Sequence, residues 1–113
     1  MAEIDKNQLR NRLIDCGYIE SFALDNTVQN LLNLKKLEDQ RAYMMLEQWM
    51  QTGKLQKFEP IEGIDIKFLR NTLKMKEPAV ILAYGMLLFD SKNNAIILKR
   101  EAQRRQKFQP LKK

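Results

Sequence analysis

The chain has 113 residues, 44% of them hydrophobic and 30% charged, and its three prolines and four glycines are too few for a disordered chain of this size. It contains no histidine and one cysteine, which excludes imidazole-based catalysis, an internal disulfide and a cysteine zinc site within this sequence. The formal net charge is +6, and all of it lies in residues 99–113, because Lys and Arg balance Asp and Glu over residues 1–98.

The first predicted helix follows a capping signal. Asp5 is placed to accept hydrogen bonds from the first backbone amides, and Gln8 stands three residues later. The apolar face continues through Leu9, Leu13 and Cys16, and Gly17 supplies a helix end. Because free cysteines are usually buried, we expect Cys16 in the core.

A second helix start is predicted at Asn26, with Gln29 three residues later. Apolar residues then recur at helical spacing as far as Trp49, and Gly53 is the expected end. The polar stretch at 35–39 leaves two possibilities, one bent helix or two helices that meet near Leu37.

Residues 54–64 contain Pro60 and Gly63 and are expected to form a connection. After it, Ile64, Asp65 and Leu69 repeat the cap and the apolar spacing of the first helix, which predicts another helix start.

The segment 78–89 is apolar on all sides and begins with Pro78, which is typical of a helix buried at the centre of a bundle. Residues 90–94 are predicted to form a turn, followed by a last helix from about Ala95 that carries Ile97, Leu98 and Ala102 inward. The alternative is an α+β fold with one hairpin at 86–98, because short apolar runs do not distinguish helix from strand. The helix formers that follow residue 98 favour helices.

The predicted fold class is therefore all-α, a small bundle of four to six helices. Residues 1–98 form a single helical domain, and residues 99–113 form a basic C-terminal helix or tail. The expected core comprises the segment 78–89 together with Leu9, Leu13, Leu31, Leu32, Met45, Trp49, Leu69 and Leu73.

Enzymatic activity is not expected, because the remaining chemistry is limited to carboxylates, Lys and Tyr, and the four scattered glycines make no phosphate-binding loop. The closest group of carboxylates is Glu59, Glu62 and Asp65. A loop followed by a helix cap accounts for these three residues better than a magnesium site does. No cofactor and no metal are predicted.

The basic end is the strongest functional signal in the sequence. Seven cations face one anion, Glu101, over residues 99–113. On a helix, Arg100, Arg104 and Lys107 share a side, with Lys99 and Arg105 flanking them, and Phe108 could stack on an exposed base. The predicted function is a non-enzymatic accessory or regulatory protein that contacts phosphates of DNA or RNA through these residues.

A second candidate surface lies on the helix that contains Tyr43, Met50 and Trp49. If the bundle covers only one face of that helix, the other is apolar and available to a protein partner or to a second copy of the chain. The alternative function is thus a helical protein–protein interaction module, such as an adaptor, a chaperone or a homodimeric scaffold.

The expected location is the cytoplasm. The first ten residues carry charges of both signs without a following apolar stretch, and the longest uncharged apolar run covers only 79–89. Only Phe108 and Leu111 are sizeable apolar anchors in the basic end, so attachment to a membrane surface is not expected.

Overall fold

A computed structural model describes residues 3–107, and over these residues the protein is all-α, as predicted. The α-helices are α1 (Lys6–Asp15), α2 (Phe22–Leu32), α3 (Arg41–Thr52), α4 (Glu77–Phe89) and α5 (Ser91–Lys107). A 3-10 turn, Asn33–Lys36, follows α2, and a π-helical turn, Phe68–Thr72, lies between α3 and α4. The alternative hairpin at 86–98 is wrong, because its two halves lie in α4 and α5.

Helix α1 begins and ends as its sequence indicates. The Asp5 carboxylate accepts a hydrogen bond of 2.8 Å from the backbone amide of Asn7, and Gly17 lies beyond the end of the helix with φ +99°. The prediction for Cys16 needs correction, because its side chain is half-buried at the edge of the core. Burial raises the pKa of this thiol.

Helix α2 begins earlier than the sequence suggests. Ser21, rather than Asn26, is the N-cap: its backbone is extended, and its hydroxyl accepts from the Leu24 amide at 3.3 Å. Of the two possibilities for the following stretch, the structure shows two helices, because Leu37 adopts an extended backbone between the 3-10 turn and α3. Gly53 ends α3 in the left-handed conformation, with φ +74°.

The connection after α3 is held by packing as well as by a turn. The ring of Phe58 stacks on that of Tyr84 in α4, with the centroids 4.2 Å apart. An isolated antiparallel bridge joins Ile61 to Ile64 around a turn at Gly63.

The predicted turn at 90–94 is reduced to a single residue, Asp90, and α5 begins at Ser91. Asn94, which suggested a turn, instead donates its side-chain amide to the Met86 carbonyl at 2.7 Å and lies within the helix. This earlier start keeps Ala95 and Leu98 buried, but it leaves Ile97 54% exposed, so the prediction that Ile97 points inward is wrong.

The core consists of two clusters on different faces of α4. The first core cluster joins α1, α2 and α3 to α4 and includes Leu9, Leu13, Val28, Leu31, Leu46, Trp49, Ile81 and Tyr84. The second core cluster joins α4 to the π-helical turn and α5 and includes Ile64, Leu69, Leu73, Val80, Ala83, Leu87, Ala95 and Leu98. Helix α4 is therefore the central helix that its composition predicts, but Met86 and Phe89 are exposed, so the prediction that all of 78–89 belongs to the core is wrong for these two residues.

Glu77, in the first turn of α4, links the two clusters by hydrogen bonds. One carboxylate oxygen accepts from the buried Trp49 indole at 2.9 Å, and the other accepts from Arg70 of the π-helical turn at 3.2 Å. Because Trp49 is 1% exposed, water has little access to its N–H and cannot replace this acceptor.

The variant Glu77→Ala should lower the free energy of unfolding by about 1–3 kcal/mol, because it leaves the buried indole N–H without an acceptor. Glu77→Gln keeps an acceptor oxygen and should lose less. Urea denaturation measures both, with the exposed Glu59→Ala as a matched control expected to be near neutral. Equal losses for Glu77→Ala and Glu59→Ala would show that the indole does not depend on this contact.

Candidate nucleic-acid interface

The structure places the predicted cations of the basic end on α5, which continues through residue 98 without a break. Lys99, Arg100, Arg104 and Arg105 are exposed, and Lys107 also belongs to α5. Phe108, the predicted stacking residue, lies outside the described residues.

Glu101 is the acidic residue within this group of cations. Its carboxylate accepts three hydrogen bonds from Arg104, the shortest at 2.7 Å, and one from Arg105 at 2.9 Å. Hydrogen bonds from Arg104 and then from Arg105 hold the pKa of this carboxyl below its ordinary value. Both arginines are thereby held along the helix in the isolated protein.

The helical repeat divides the cations between two faces of α5. Arg100 and Arg104 share one side, as their spacing predicts. Lys99 and Arg105 instead flank a cleft between α5 and the π-helical turn.

This basic cleft has a volume of about 760 Å³, within the ~300–1,000 Å³ range of ligand pockets. The described residues that line it are Phe68, Asn71, Thr72, Lys74, Lys99, Ala102, Gln103, Arg105 and Gln106. Three of them are cations, and none of these lining residues is acidic. Its cations come from two separate segments, Lys74 from the chain that follows the π-helical turn and Lys99 and Arg105 from α5.

The wall opposite α5 is built by the segment that Asp65 caps. The Asp65 carboxylate accepts from the Phe68 amide at 2.8 Å, which confirms it as a helix cap, and Leu69 and Leu73 are buried in the second core cluster. Because these two leucines point inward, Asn71 and Thr72 between them are exposed along the cleft.

Lys74 ends this wall in an unfavourable backbone conformation. Its φ is +56°, in the left-handed region that glycine and asparagine adopt at lower cost. This conformation ends the π-helical turn, where the Met75 amide donates to the Leu69 carbonyl at 3.0 Å. Lys74 is the third cation among the residues that line the cleft, with Lys99 and Arg105.

The cations on the α5 side of this cleft are predicted from the sequence, and the residues of the other side are not. Phe68, Asn71 and Lys74 belong to a segment that looked like an ordinary amphipathic helix, and nothing in their own spacing links them to the basic end. The signal in the sequence for this side of the cleft is that polar and basic residues follow Leu69.

The predicted partner-binding residues are placed differently. Trp49 is 1% exposed and Tyr43 is 7% exposed, so both belong to the first core cluster of this chain, and Met50 is half-buried against it. The structure thus corrects their assignment to an outer surface, because α4, α2 and the 3-10 turn pack against α3.

Within residues 3–107, no cluster of three or more acidic or cysteine side chains has the arrangement of a metal site. None of the helices in that same range combines the length and the apolar composition needed to cross a bilayer.

Fold and site together define a small helical bundle with a basic cleft between its last helix and a π-helical turn. No protein-family model matches the chain, and comparison with curated proteins and with solved structures finds no similar protein. The case for a function therefore depends on the geometry and charge of the site.

The variant Lys74→Gly should raise the free energy of unfolding by up to about 1 kcal/mol, because glycine removes the cost of the left-handed backbone. The same change removes one positive charge from the cleft, so it should also weaken the binding of an anionic ligand there. Glu62→Gly is the matched control, since Glu62 also has a positive φ, +51°, but does not line the cleft. Thermal and urea unfolding should show a gain in stability for both variants. A loss of stability in Lys74→Gly alone would contradict the strain argument.

Proposed function

We propose that this protein is a non-enzymatic helical accessory or regulatory protein of the cytoplasm that binds nucleic acid through the basic cleft and the adjoining face of α5. The observation that carries the proposal is the convergence of Lys74, Lys99 and Arg105 on one cleft whose described lining residues include no acid. Arg100 and Arg104 extend the positive surface along the exposed side of the same helix.

Phosphate contacts supply the affinity in this proposal. Each phosphate neutralised by a lysine or arginine releases counterions, so binding weakens as salt rises, with a slope of about −0.7 per contact for single strands. Three contacts in the cleft correspond to a slope of about −2. Contacts of this kind carry little sequence information, so we expect weak discrimination among base sequences.

The direct test neutralises the cleft without shortening the chain. A triple variant, Lys74→Gln with Lys99→Gln and Arg105→Gln, should lose most of its binding to a labelled oligonucleotide at low salt, and the salt slope should fall by about 2. Fluorescence anisotropy across a salt series measures both quantities.

The matched control removes three charges elsewhere: Lys6→Gln, Lys36→Gln and Lys54→Gln. These lysines are exposed on α1, on the 3-10 turn and after α3, away from the residues of the cleft. We expect this control to keep most of the affinity and nearly the full salt slope. Equal losses in the two triple variants would mean that net charge, rather than the cleft, governs binding.

A gain of affinity is expected from Glu101→Gln. This change removes one negative charge and releases Arg104 and Arg105, so affinity at low salt should rise about threefold to fivefold, with a steeper salt slope. Glu38→Gln removes one exposed acidic charge outside the interface and serves as the matched control, with a smaller expected effect. Unchanged or weaker binding by Glu101→Gln would contradict a role for these arginines.

The second candidate function is a protein–protein interaction module. Its surface would lie on α4 and the 3-10 turn, and not on α3 as the sequence predicts. Phe89 is 76% exposed and Met86 is 44% exposed beside an apolar groove of about 360 Å³ that also includes Leu34 and Leu37. Such a surface is typical of contacts with other proteins. Absence of nucleic-acid binding by the unmodified protein at low salt would favour this class, in which the basic end meets an acidic partner.

A further inference from the structure

One aromatic residue lies among the cations of the basic cleft. Phe68 lines the cleft and is half-buried, because it also packs against the second core cluster. Its backbone is fixed at the amide by the Asp65 carboxylate and at the carbonyl by the Leu73 amide, at 2.8 and 3.1 Å. The ring is therefore held in place before any ligand arrives.

Amide side chains line the cleft on both walls. Asn71 lies on the π-helical turn, while Gln103 and Gln106 lie on the same face of α5 as Lys99. Asparagine and glutamine side chains donate and accept hydrogen bonds, which suits the edges of unpaired bases. The cleft thus combines cations for phosphate, an aromatic ring for a base face and amides for a base edge.

The aromatic ring in the cleft favours a single strand over a duplex as the ligand. In a double helix each base face is covered by its neighbours, and a protein can contact phosphates and groove edges without removing a base from the stack. Phe68 can stack only on a base that is not already stacked on both faces. A cleft of about 760 Å³ has the size of a site for one or a few nucleotides.

We infer that the basic cleft is a site for single-stranded nucleic acid, in which one unpaired base stacks on Phe68 while neighbouring phosphates contact Lys74, Lys99 and Arg105. The inference rests on the proposed function and narrows its ligand to single strands. Either sugar meets these requirements, because stacking and phosphate contacts are common to RNA and DNA.

The test compares Phe68→Leu with Phe68→Tyr in the full chain. Leucine keeps an apolar side chain against the second core cluster but removes the aromatic face, whereas tyrosine keeps that face. The probes are a labelled oligothymidylate and an oligouridylate, each about 12 nucleotides long, and a DNA duplex of the same length. Urea denaturation of both variants checks that the fold is retained.

We expect the unmodified protein to bind the single strands more tightly than the duplex. Phe68→Leu should weaken binding of the single strands about fivefold to tenfold without changing the affinity for the duplex, and Phe68→Tyr should retain the original affinities. The salt slope should be the same in all three proteins, because no phosphate contact is removed.

Three results would overturn the inference, and they differ in what they mean for the proposed function. Salt-dependent binding that favours the duplex, or that Phe68→Leu leaves unchanged for single strands, would reject the single-strand site while the proposed function stands. Absence of binding to every probe at low salt would reject both the inference and the proposed function. A similar loss in Phe68→Leu and Phe68→Tyr would also overturn the inference, since both side chains fill the site but only one lacks an aromatic face.

Discussion

The burial of α4 on two faces is the constraint on which the rest of the structure depends. Ile81 and Tyr84 pack into the first core cluster, while Val80, Ala83 and Leu87 pack into the second. The elements of the first core cluster (α1, α2 and α3) cover one part of α4, and those of the second (the π-helical turn and α5) cover another. Both sets must therefore pack on α4 to bury its apolar surface. The 3-10 turn also packs closely on α4. A Cβ added at Gly85 would lie 2.5 Å from a methyl group of Leu34, so a larger residue does not fit there without a shift.

The basic cleft follows from the way in which the elements of the second core cluster pack. Burial of Leu69 and Leu73 on one side, and of Ala95 and Leu98 on the other, turns the polar residues of both segments toward the space between them. Glu77 ties this arrangement to the first core cluster through Trp49 and Arg70. The cleft is therefore fixed by the core, and three cations line it, of which Arg105 is also paired with Glu101 on α5.

Most of the fold was accessible from local sequence, but the site was accessible only in part. The Asp5 cap, the Gly53 helix end and the helical state of the apolar segment 78–89 are each determined within their own segment, which explains why these predictions are confirmed. Which residues of that segment are buried depends on the packing of other elements, and Met86 and Phe89 are exposed. The start of α2 was misplaced because Asn26 and Gln29 match a capping box, whereas Ser21 caps without one. The α5 cations stood out by composition, but the convergence of Lys74 and Phe68 on them depends on tertiary packing that no local pattern encodes.

We propose that nucleic acid occupies the cleft between α5 and the π-helical turn. The most direct measurement is a residue-resolved titration of the isotopically labelled full chain with an oligothymidylate, followed by amide chemical shifts. We predict progressive shifts concentrated at Phe68, Asn71, Lys74, Lys99 and Gln103, with little change in α1 and α2. Shifts confined to the outer face of α5, or spread evenly over the surface, would contradict the account.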